Sequence, residues 1–322
     1  MDETSVRYFL RKSFEIKCTM IQPVKAGVYR LTTEDGRVYG LKKMKFKRAR
    51  LAWMDHALAA IKRRGFAAYA WGPWRYPLSA QYPYVLTEWC EGSTADATNS
   101  EDLRLCARTL AEFHLAGATK DVRGPGELVT LGTWQQRFQL GHTWLEQAWR
   151  EKWSVMRGQF ILAKEYPQLR ERAETALAIL RKQHDVGYKR VMDGVLCHGD
   201  SGPANFIVKQ TEVKMIDFET LRIDAPSYDL FRMIRLAGKR NGWSVDSLQS
   251  ILHGYAGVHA LTSEDIQLLR AWLTYPYKVC KLLGEYAHVK GQQRTMIEEK
   301  IARAIKKERE LPSLLQHLMM MR

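Results

Sequence analysis

The chain has 322 residues, 46% apolar and 26% charged, which is the make-up of a globular protein long enough for a sizeable core and two lobes or domains. No apolar run approaches the roughly 20 residues of a membrane span, the acidic start MDETSVRYFLRKSF lacks the apolar core of a signal peptide, and the five scattered cysteines form neither a C-x-x-C pair nor a zinc pattern, so free thiols in a reducing compartment are expected. The net charge of +15 is the unusual bulk property. A dense run (Lys42, Lys43, Lys45, Lys47, Arg48, Arg50) and a smaller cluster (Lys306, Lys307, Arg309) predict a solvated basic face or an acidic partner. With no helix-turn-helix, zinc finger or RNA-binding aromatic motif, sequence-specific nucleic-acid recognition is not expected.

In chain order, Arg7 to Phe14 reads as a short helix. Cys18 to Ile21 and Gly27 to Thr33 read as strands joined by Gln22-Pro23-Val24-Lys25-Ala26. Glu34-Asp35-Gly36 is a tight turn, because Asp-Gly supplies the positive φ a hairpin needs, and Arg37 to Met44 is the returning strand. Phe46 to Arg64 is helical, with Leu51, Met54, Leu58 and Ile61 on one face and Gly65 at its end. Tyr84 to Trp89 is a further strand. This order predicts a small antiparallel sheet with one packed helix over residues 1–88. Cys90-Glu91-Gly92-Ser93 then reads as a linker, and residues 89–322 as a larger, mostly helical part, giving an α+β, bilobal architecture. Its helices include one marked by Leu103, Cys106, Ala107, Leu110, Phe113 and His114, with Asn99 or Ser100 as N-cap. A long helical stretch from Trp134 to Lys182 follows. Asp229 to Ala237, Ser247 to Tyr255, a helix opening near Thr262 that Pro276 kinks or breaks, and a basic helix from Met296 to Glu308 complete the chain. The aromatics Trp144, Trp149, Trp153 and Tyr275 are expected to pack in the core.

The most informative segment is LCHGDSGPANFIVKQTEVKMIDFE, Leu196 to Glu219. It holds His198, Asp200 and Asn205 as H-x-D-x-x-x-x-N, then a hairpin, then Asp217-Phe218. Gly199, Gly202 and Pro203 keep the first part out of helix or ladder. Asn205 to Val208 and Val213 to Ile216 are β-rich, joined by Lys209-Gln210-Thr211-Glu212. A turn centred near Thr211 would pair Val208 with Lys214 and Asn205 with Asp217, roughly 4.5–5.5 Å apart at the mouth of the hairpin. An amide oxygen and a carboxylate so placed suit one hard cation such as magnesium. The spacing is that of phosphoryl transfer, in which one Asp meets an acceptor hydroxyl while an Asn and a second Asp hold the metal against a nucleotide.

With VYGLKKMK at 38–45, VLTEWCEGS at 85–93, LAEFH at 110–114, LCHGDSGPANFIV at 196–208, MIDFE at 215–219, APSYDLFRMIR at 225–235 and LLRAWLTYPYKVCKLLGEY at 268–286, the chain resembles the protein-kinase-like superfamily on its small-molecule branch, the aminoglycoside phosphotransferases and choline kinases. Within it, the chain looks most like the spore-coat CotS-type proteins of endospore-forming bacteria. The resemblance implies a nucleotide-binding lobe at 1–88 and a catalytic, acceptor-binding lobe at 89–322, with ATP and Mg2+ as cofactors. By position it assigns Asp200 as the catalytic Asp and places His198 beside it in the catalytic loop, shaping the loop more than doing chemistry. Asn205 and Asp217 match the magnesium ligands, Lys42 (with Lys43 as its rival) the strand lysine that holds phosphates, Glu88 to Cys90 the hinge that reads adenine, and Asp229 an anchor of the catalytic loop. It further implies synthesis in the cytoplasm, assembly into the spore coat with other coat proteins, and an acceptor that the sequence does not identify.

Two departures bear on activity. The phosphate-covering loop should expose backbone N–H groups, yet Pro23-Val24-Lys25-Ala26-Gly27 has one glycine and a proline. The helix after the lysine strand should offer a Glu to the lysine, yet Met44 to Gly65 holds only Asp55, a shorter carboxylate that would serve if the helix sits close. Two functions therefore stand: a small-molecule kinase, or a catalytically weak or inactive relative acting as a structural coat protein. An aminoglycoside acceptor is the weaker expectation, because a polycation needs an acidic pocket.

Overall fold

The computed structural model describes residues 2–77, 81–118, 125–151, 159–187, 194–309, 311 and 314–315. Helix α1 (Glu3–Ser13) starts four residues before the expected Arg7, because the Asp2 side chain accepts the Ser5 N–H and caps it. Strands β1 (Cys18–Lys25), β2 (Val28–Thr33) and β3 (Val38–Lys43) form a meander; α2 (Arg48–Arg63) follows, then β4 (Trp74–Arg75) and β5 (Tyr84–Glu88). The five strands make one antiparallel sheet in the order β1-β2-β3-β5-β4. β1 does not stop at Ile21. It runs on through Pro23 with a bulge, which an edge strand tolerates, and only Ala26 and Gly27 (φ 75°) form the turn.

Alternation along the strands sorts side chains between the two faces. Leu31, Leu41, Tyr84 and Leu86 pack with Val6, Phe9 and Leu10 of α1 in a small core. Val85 points the other way and joins Leu51, Met54, Leu58 and Ile61 of α2 in the main core. The sheet is thus covered by a helix on each face rather than by one. Lys42, next to Leu41, is turned to the α2 side. Gly65, at φ 91°, ends α2 as expected.

The segment expected as a plain linker contributes a strand. β6 (Ser93–Thr94) pairs antiparallel with β8, as Ser93↔Val208 and Thr94↔Ile207. Helix α3 (Ser100–Gly117) is capped by Asn99, which accepts from Glu101 N and Asp102 N. The expected Trp134–Lys182 stretch comprises α4 (Trp134–Arg150) and α5 (Gln159–Gly187); Trp153 lies outside the described residues. β7 (Val195–Cys197), the hairpin β8 (Phe206–Lys209) and β9 (Glu212–Met215), and β10 (Arg222–Asp224) carry and flank the segment Leu196 to Glu219, with β10 antiparallel to β7. Helices α6 (Pro226–Asn241), α7 (Val245–Ala256), α8 (Ser263–Thr274), α9 (Tyr277–His288) and α10 (Gln292–Glu308) complete the larger lobe. Thr262 and Asp265 form a capping box at α8, and Pro276 breaks the chain between α8 and α9.

α3 lies against α7, α5 against α4 and α8, and α9 against α4 and α10. The α3–α7 approach depends on Gly254: a Cβ there would stand 2.3 Å from the Arg104 carbonyl oxygen. Trp134, Phe138, Trp272 and Tyr275 fill the centre, with Phe138 and Tyr275 stacked at 3.8 Å and the Tyr275 hydroxyl donating to the Phe138 carbonyl. Tyr275 is a core residue as expected, whereas Trp149 is 42% exposed and stacks on Tyr166.

Candidate active site

β7 delivers the chain into the H-x-D loop, and α6 holds the loop from below. The buried Asp229 carboxylate accepts His198 N at 2.6 Å and Gly199 N at 2.8 Å, and the Ser201 hydroxyl donates to the Asp229 carbonyl at 2.6 Å. His114 Nε2 lies 3.1 Å from the same carboxylate, and its Nδ1 lies 2.7 Å from Tyr255 OH. Burial pushes the Asp229 carboxyl up, but the His114 hydrogen bond and the charges and N–H groups around it outweigh burial and leave it below the usual carboxylate range. His114, Cys197 and Asp229 bring potential ligand atoms within 4.8 Å of one another. They are spent on this scaffold, and burial holds the Cys197 thiol far from ionisation.

His198 is fully buried. Its Nδ1 accepts the Asp200 N–H at 3.2 Å, so the proton sits on Nε2, which donates to the Ile216 carbonyl at 2.9 Å. His198 therefore ties the loop to the end of β9. Both ring nitrogens are consumed by backbone, so His198 holds the loop in shape and has no ring nitrogen left for proton transfer beside Asp200. The Asp200 carboxylate is 41% exposed and is met by Arg232 Nη2 of α6. Asn205 Nδ2 donates to the Asp200 carbonyl at 2.7 Å and lies 3.4 Å from Oδ2. That orientation leaves Asn205 Oδ1 without a hydrogen bond among the described residues.

The expected hairpin register is one residue out. The turn is only Gln210-Thr211, with Gln210 at φ 57°, so Val208 pairs with Val213 and Phe206 with Met215. Asn205 then stands opposite Ile216, whose N–H it accepts at 3.0 Å. A one-residue slip in a regular ladder would send Asp217 to the wrong face. Asp217 instead leaves the strand at φ 67° and ψ 60°, and this left-handed kink returns its side chain to the same cleft as Asn205. Such a conformation in a non-glycine residue costs on the order of 1–3 kcal/mol and concentrates at functional sites.

From the sheet, Lys42 reaches across to this point. Its Nζ lies 2.6 Å from Asp217 Oδ1 and 2.8 Å from Glu219 Oε1. Burial alone would lower the ammonium pKa, but the two carboxylates hold it above its ordinary value. Lys43 points away, over the Tyr82 ring at 5.5 Å. Asp55 does not pair with Lys42. Its two oxygens accept the indole N–H groups of Trp71 and Trp74, each at 2.6 Å. The lysine's second acid comes from the loop after Asp217-Phe218 instead. Arg50 fixes that loop by donating to the Glu219 carbonyl at 2.6 Å.

Lys42, Asn205, Asp217 and Glu219 line one cleft of about 490 Å³, a volume typical of small-molecule sites. Val24, Lys25 and Val28 roof it, Ile207 and Ile216 floor it, and Glu88, Trp89 and Cys90 form its back. Trp89 N–H is bound by the Val38 carbonyl. Glu88, one residue earlier, therefore directs its backbone groups away from β3. Burial, partly offset by Lys214, raises the Cys90 thiol, so its side chain is a neutral wall. The roof is a tight hairpin rather than an open loop: Lys25 pairs with Val28, and Lys43 N–H binds the Gly27 carbonyl at 2.7 Å. The donors fit a hard divalent cation. Asn205 Oδ1 and the Asp217 carboxylate are oxygen groups that could hold one, and Asp217 already carries a cation, the Lys42 ammonium. Two residues escaped the sequence reading: Glu219 and Arg232, each quoted within a motif without a role.

No helix among the described residues is long and apolar enough to cross a membrane. Among solved structures, an aminoglycoside phosphotransferase from Alicyclobacillus acidocaldarius superposes with a TM-score of 0.77 at 21% identity, covering 94% of this chain and 93% of that one. A spectinomycin phosphotransferase in complex with ADP and spectinomycin gives 0.70 at 11% identity, over 99% and 97%. An amicoumacin kinase in complex with AMP-PNP, Ca2+ and Ami gives 0.61 at 14% identity, over 99% and 97%. At these identities the superpositions establish the α+β, protein-kinase-like fold. The model of the phosphotransferase enzyme family matches residues 24–272, from the cleft's roof through the catalytic loop to α8. By that match over most of its length, the chain belongs to the phosphotransferase enzyme family.

Proposed function

We infer that the protein is an ATP-dependent small-molecule kinase that moves the γ-phosphate to an acceptor hydroxyl, and that its setting is the spore coat, as its CotS-type motifs imply. One observation carries the reading: Lys42, Asn205 and Asp217 converge on one cleft, with Asp200 joined to Asn205 at its edge. The nucleotide and ligand complexes of the spectinomycin and amicoumacin kinases support the same use of the fold here. In this reading Glu88 and Cys90 present backbone to the adenine, and Lys42 meets the phosphates. A magnesium ion held by Asn205 and Asp217 would supply charge neutralisation on the phosphates. Asp200 orients the acceptor hydroxyl and receives its proton, and catalysis is otherwise positioning. Mg-ATP should raise the unfolding midpoint, and ATP turnover should vanish in Asp200→Asn. Equal turnover by wild type and variant would refute the reading.

A second reading, a weak or inactive kinase acting as a coat protein, is favoured by one feature. The roof is a paired hairpin with Pro23, which has no N–H, in its first strand, so few backbone N–H groups are left to cradle phosphates. No midpoint shift at millimolar Mg-ATP would favour it.

A further inference from the structure

We propose that a second cavity, between the start of α2 and β4, binds a small planar aromatic anion, and that the bound ligand tightens the Lys42 cleft through Asp55. The ligand site stands on its own; its effect on Mg-ATP rests on the kinase reading above and adds a regulator to it.

The cavity measures about 600 Å³ and is lined by Arg48, Asp55, Pro73, Trp74, Arg75 and Tyr76, a volume that suits a small molecule. Arg48 comes from the basic run Lys42 to Arg50, most of which the Lys42 cleft leaves unused. Arg75 donates to the Trp74 carbonyl at 2.9 Å, and its guanidinium lies 5.9 Å from the Phe14 ring. Among the described residues neither arginine pairs with a carboxylate. The one acid in the lining, Asp55, is already taken, because its two oxygens accept the Trp71 and Trp74 indole N–H groups. The cavity therefore offers two guanidinium forks without a counter-charge, and such forks suit anionic oxygens. Beside them stand the rings of Trp74 and Tyr76, set edge to face with centroids 6.1 Å apart, and Tyr76 is 38% exposed. An aromatic wall takes another ring by stacking or edge contact. Cations and aromatic wall in one cavity select an anion joined to a planar ring.

The Asp55 carboxylate joins this cavity to the other. Trp74 lines the second cavity and Trp71 lines the Lys42 cleft, and both indoles donate to Asp55 at 2.6 Å. The segment between them is held against β5. A Cβ at Gly72 would stand 2.0 Å from the Leu86 carbonyl oxygen, the Leu86 N–H binds the Pro73 carbonyl at 2.9 Å, and Trp74 pairs with Val85. β5 itself ends at Glu88, in the back of the Lys42 cleft. A ligand seated on Trp74 favours the arrangement in which both indoles meet Asp55, and that arrangement puts Trp71 in the wall of the cleft. Two ligands that favour one state of a shared element favour each other, so the coupling is positive and each ligand tightens the other by the same factor.

The site is tested by calorimetric titration of the nucleotide-free protein with phenyl phosphate, inorganic phosphate and benzyl alcohol at constant ionic strength. Phenyl phosphate should bind about fivefold more tightly than inorganic phosphate, and benzyl alcohol should not bind over the same range. Arg48→Gln combined with Arg75→Gln, both exposed, should weaken phenyl phosphate by about tenfold or more. Saturating phenyl phosphate should then lower the Kd for Mg-ATP by about fivefold. Asp55→Asn, and separately Trp74→Phe, which keeps an aromatic ring and removes the N–H, should hold phenyl phosphate within about threefold of wild type and lose the effect on Mg-ATP. Equal phenyl phosphate affinity in wild type and the double arginine variant, or equal binding of benzyl alcohol, would overturn the site. An Mg-ATP affinity that stays the same or falls with phenyl phosphate, or a tightening kept in both Asp55→Asn and Trp74→Phe, would overturn the coupling. Failure of Mg-ATP to bind at all would sink the kinase reading and the coupling with it, and it is scored apart from the site because the first titration contains no nucleotide.

Discussion

Glu219 Oε1 lies 2.8 Å from Lys42 Nζ, and Asp217 Oδ1 lies 2.6 Å from the same nitrogen. The carboxylate that α2 fails to supply is provided by the residue two places after Asp217. The lysine is thus positioned from the larger lobe rather than from the helix behind the sheet. This arrangement ties the two halves of the cleft directly, and it works only because the left-handed backbone at Asp217 turns both acids the same way.

Glu219→Gln should raise the KM for ATP by about tenfold with a smaller change in kcat, the order of one charge-assisted contact. Lys42 keeps Asp217, so the site should weaken rather than fail. Steady-state kinetics decide this, and an unchanged KM would show that Glu219 is incidental to nucleotide binding.

Asp200→Asn should lower turnover by about 10²- to 10⁴-fold, the usual contribution of a positioned acid or base. The Mg-ATP midpoint shift should survive, since Asp200 is not among the residues lining the nucleotide cleft. Asp217→Ala should lose both. A nucleotide shift retained in Asp217→Ala would contradict the metal role assigned to that residue.

Glu308 is buried between Arg172 and Arg235. Burial alone would raise its pKa, but the two guanidinium groups hold it below the ordinary 4.5. A depressed carboxyl stabilises the fold fully above its unfolded pKa, and that contribution fades as pH falls through the folded value. Glu308→Gln should cost about 3–5 kcal/mol near neutrality, because two buried cations lose their partner. Urea unfolding should show the gap between wild type and variant shrinking below pH 4.5. A gap that widens on acidification would reverse the assignment.

Gly254→Ala should destabilise by about 1–3 kcal/mol through overpacking, since the new Cβ meets the Arg104 carbonyl at 2.3 Å and backbone must move. A neutral result in chemical denaturation would mean that α3 and α7 slide apart freely.

Expression in an aminoglycoside-sensitive bacterium should leave the inhibitory concentration unchanged. Arg232 at Asp200 presents positive charge where a polycationic drug would have to bind. A raised inhibitory concentration would refute this exclusion.

Local chemistry made much of this protein legible in one dimension. Asp-Gly at the turn after β2, the heptad-like stripe of α2, the Asn99 cap and Pro276 after α8 were readable because each acts on its own backbone neighbours. The order H-x-D-x-x-x-x-N, hairpin, Asp-Phe was readable for the same reason, since loop and ribbon bring those residues together over short chain distances. The hairpin register was missed by one position because Gln210 takes the positive φ of a two-residue turn, a conformation its side chain does not advertise.

What the sequence determined by itself, then, was the kinase-like order of elements and the identity of Asp200, Asn205 and Asp217, all set by short-range turn and strand preferences. Which carboxylate meets Lys42, that Asp55 is spent on two indoles, and that Arg232 closes on Asp200 were decided only in three dimensions. Those pairs join residues from 16 positions apart (Asp55 and Trp71) to 177 (Lys42 and Glu219), and charge pairs only with whatever the folded chain brings within a few ångströms.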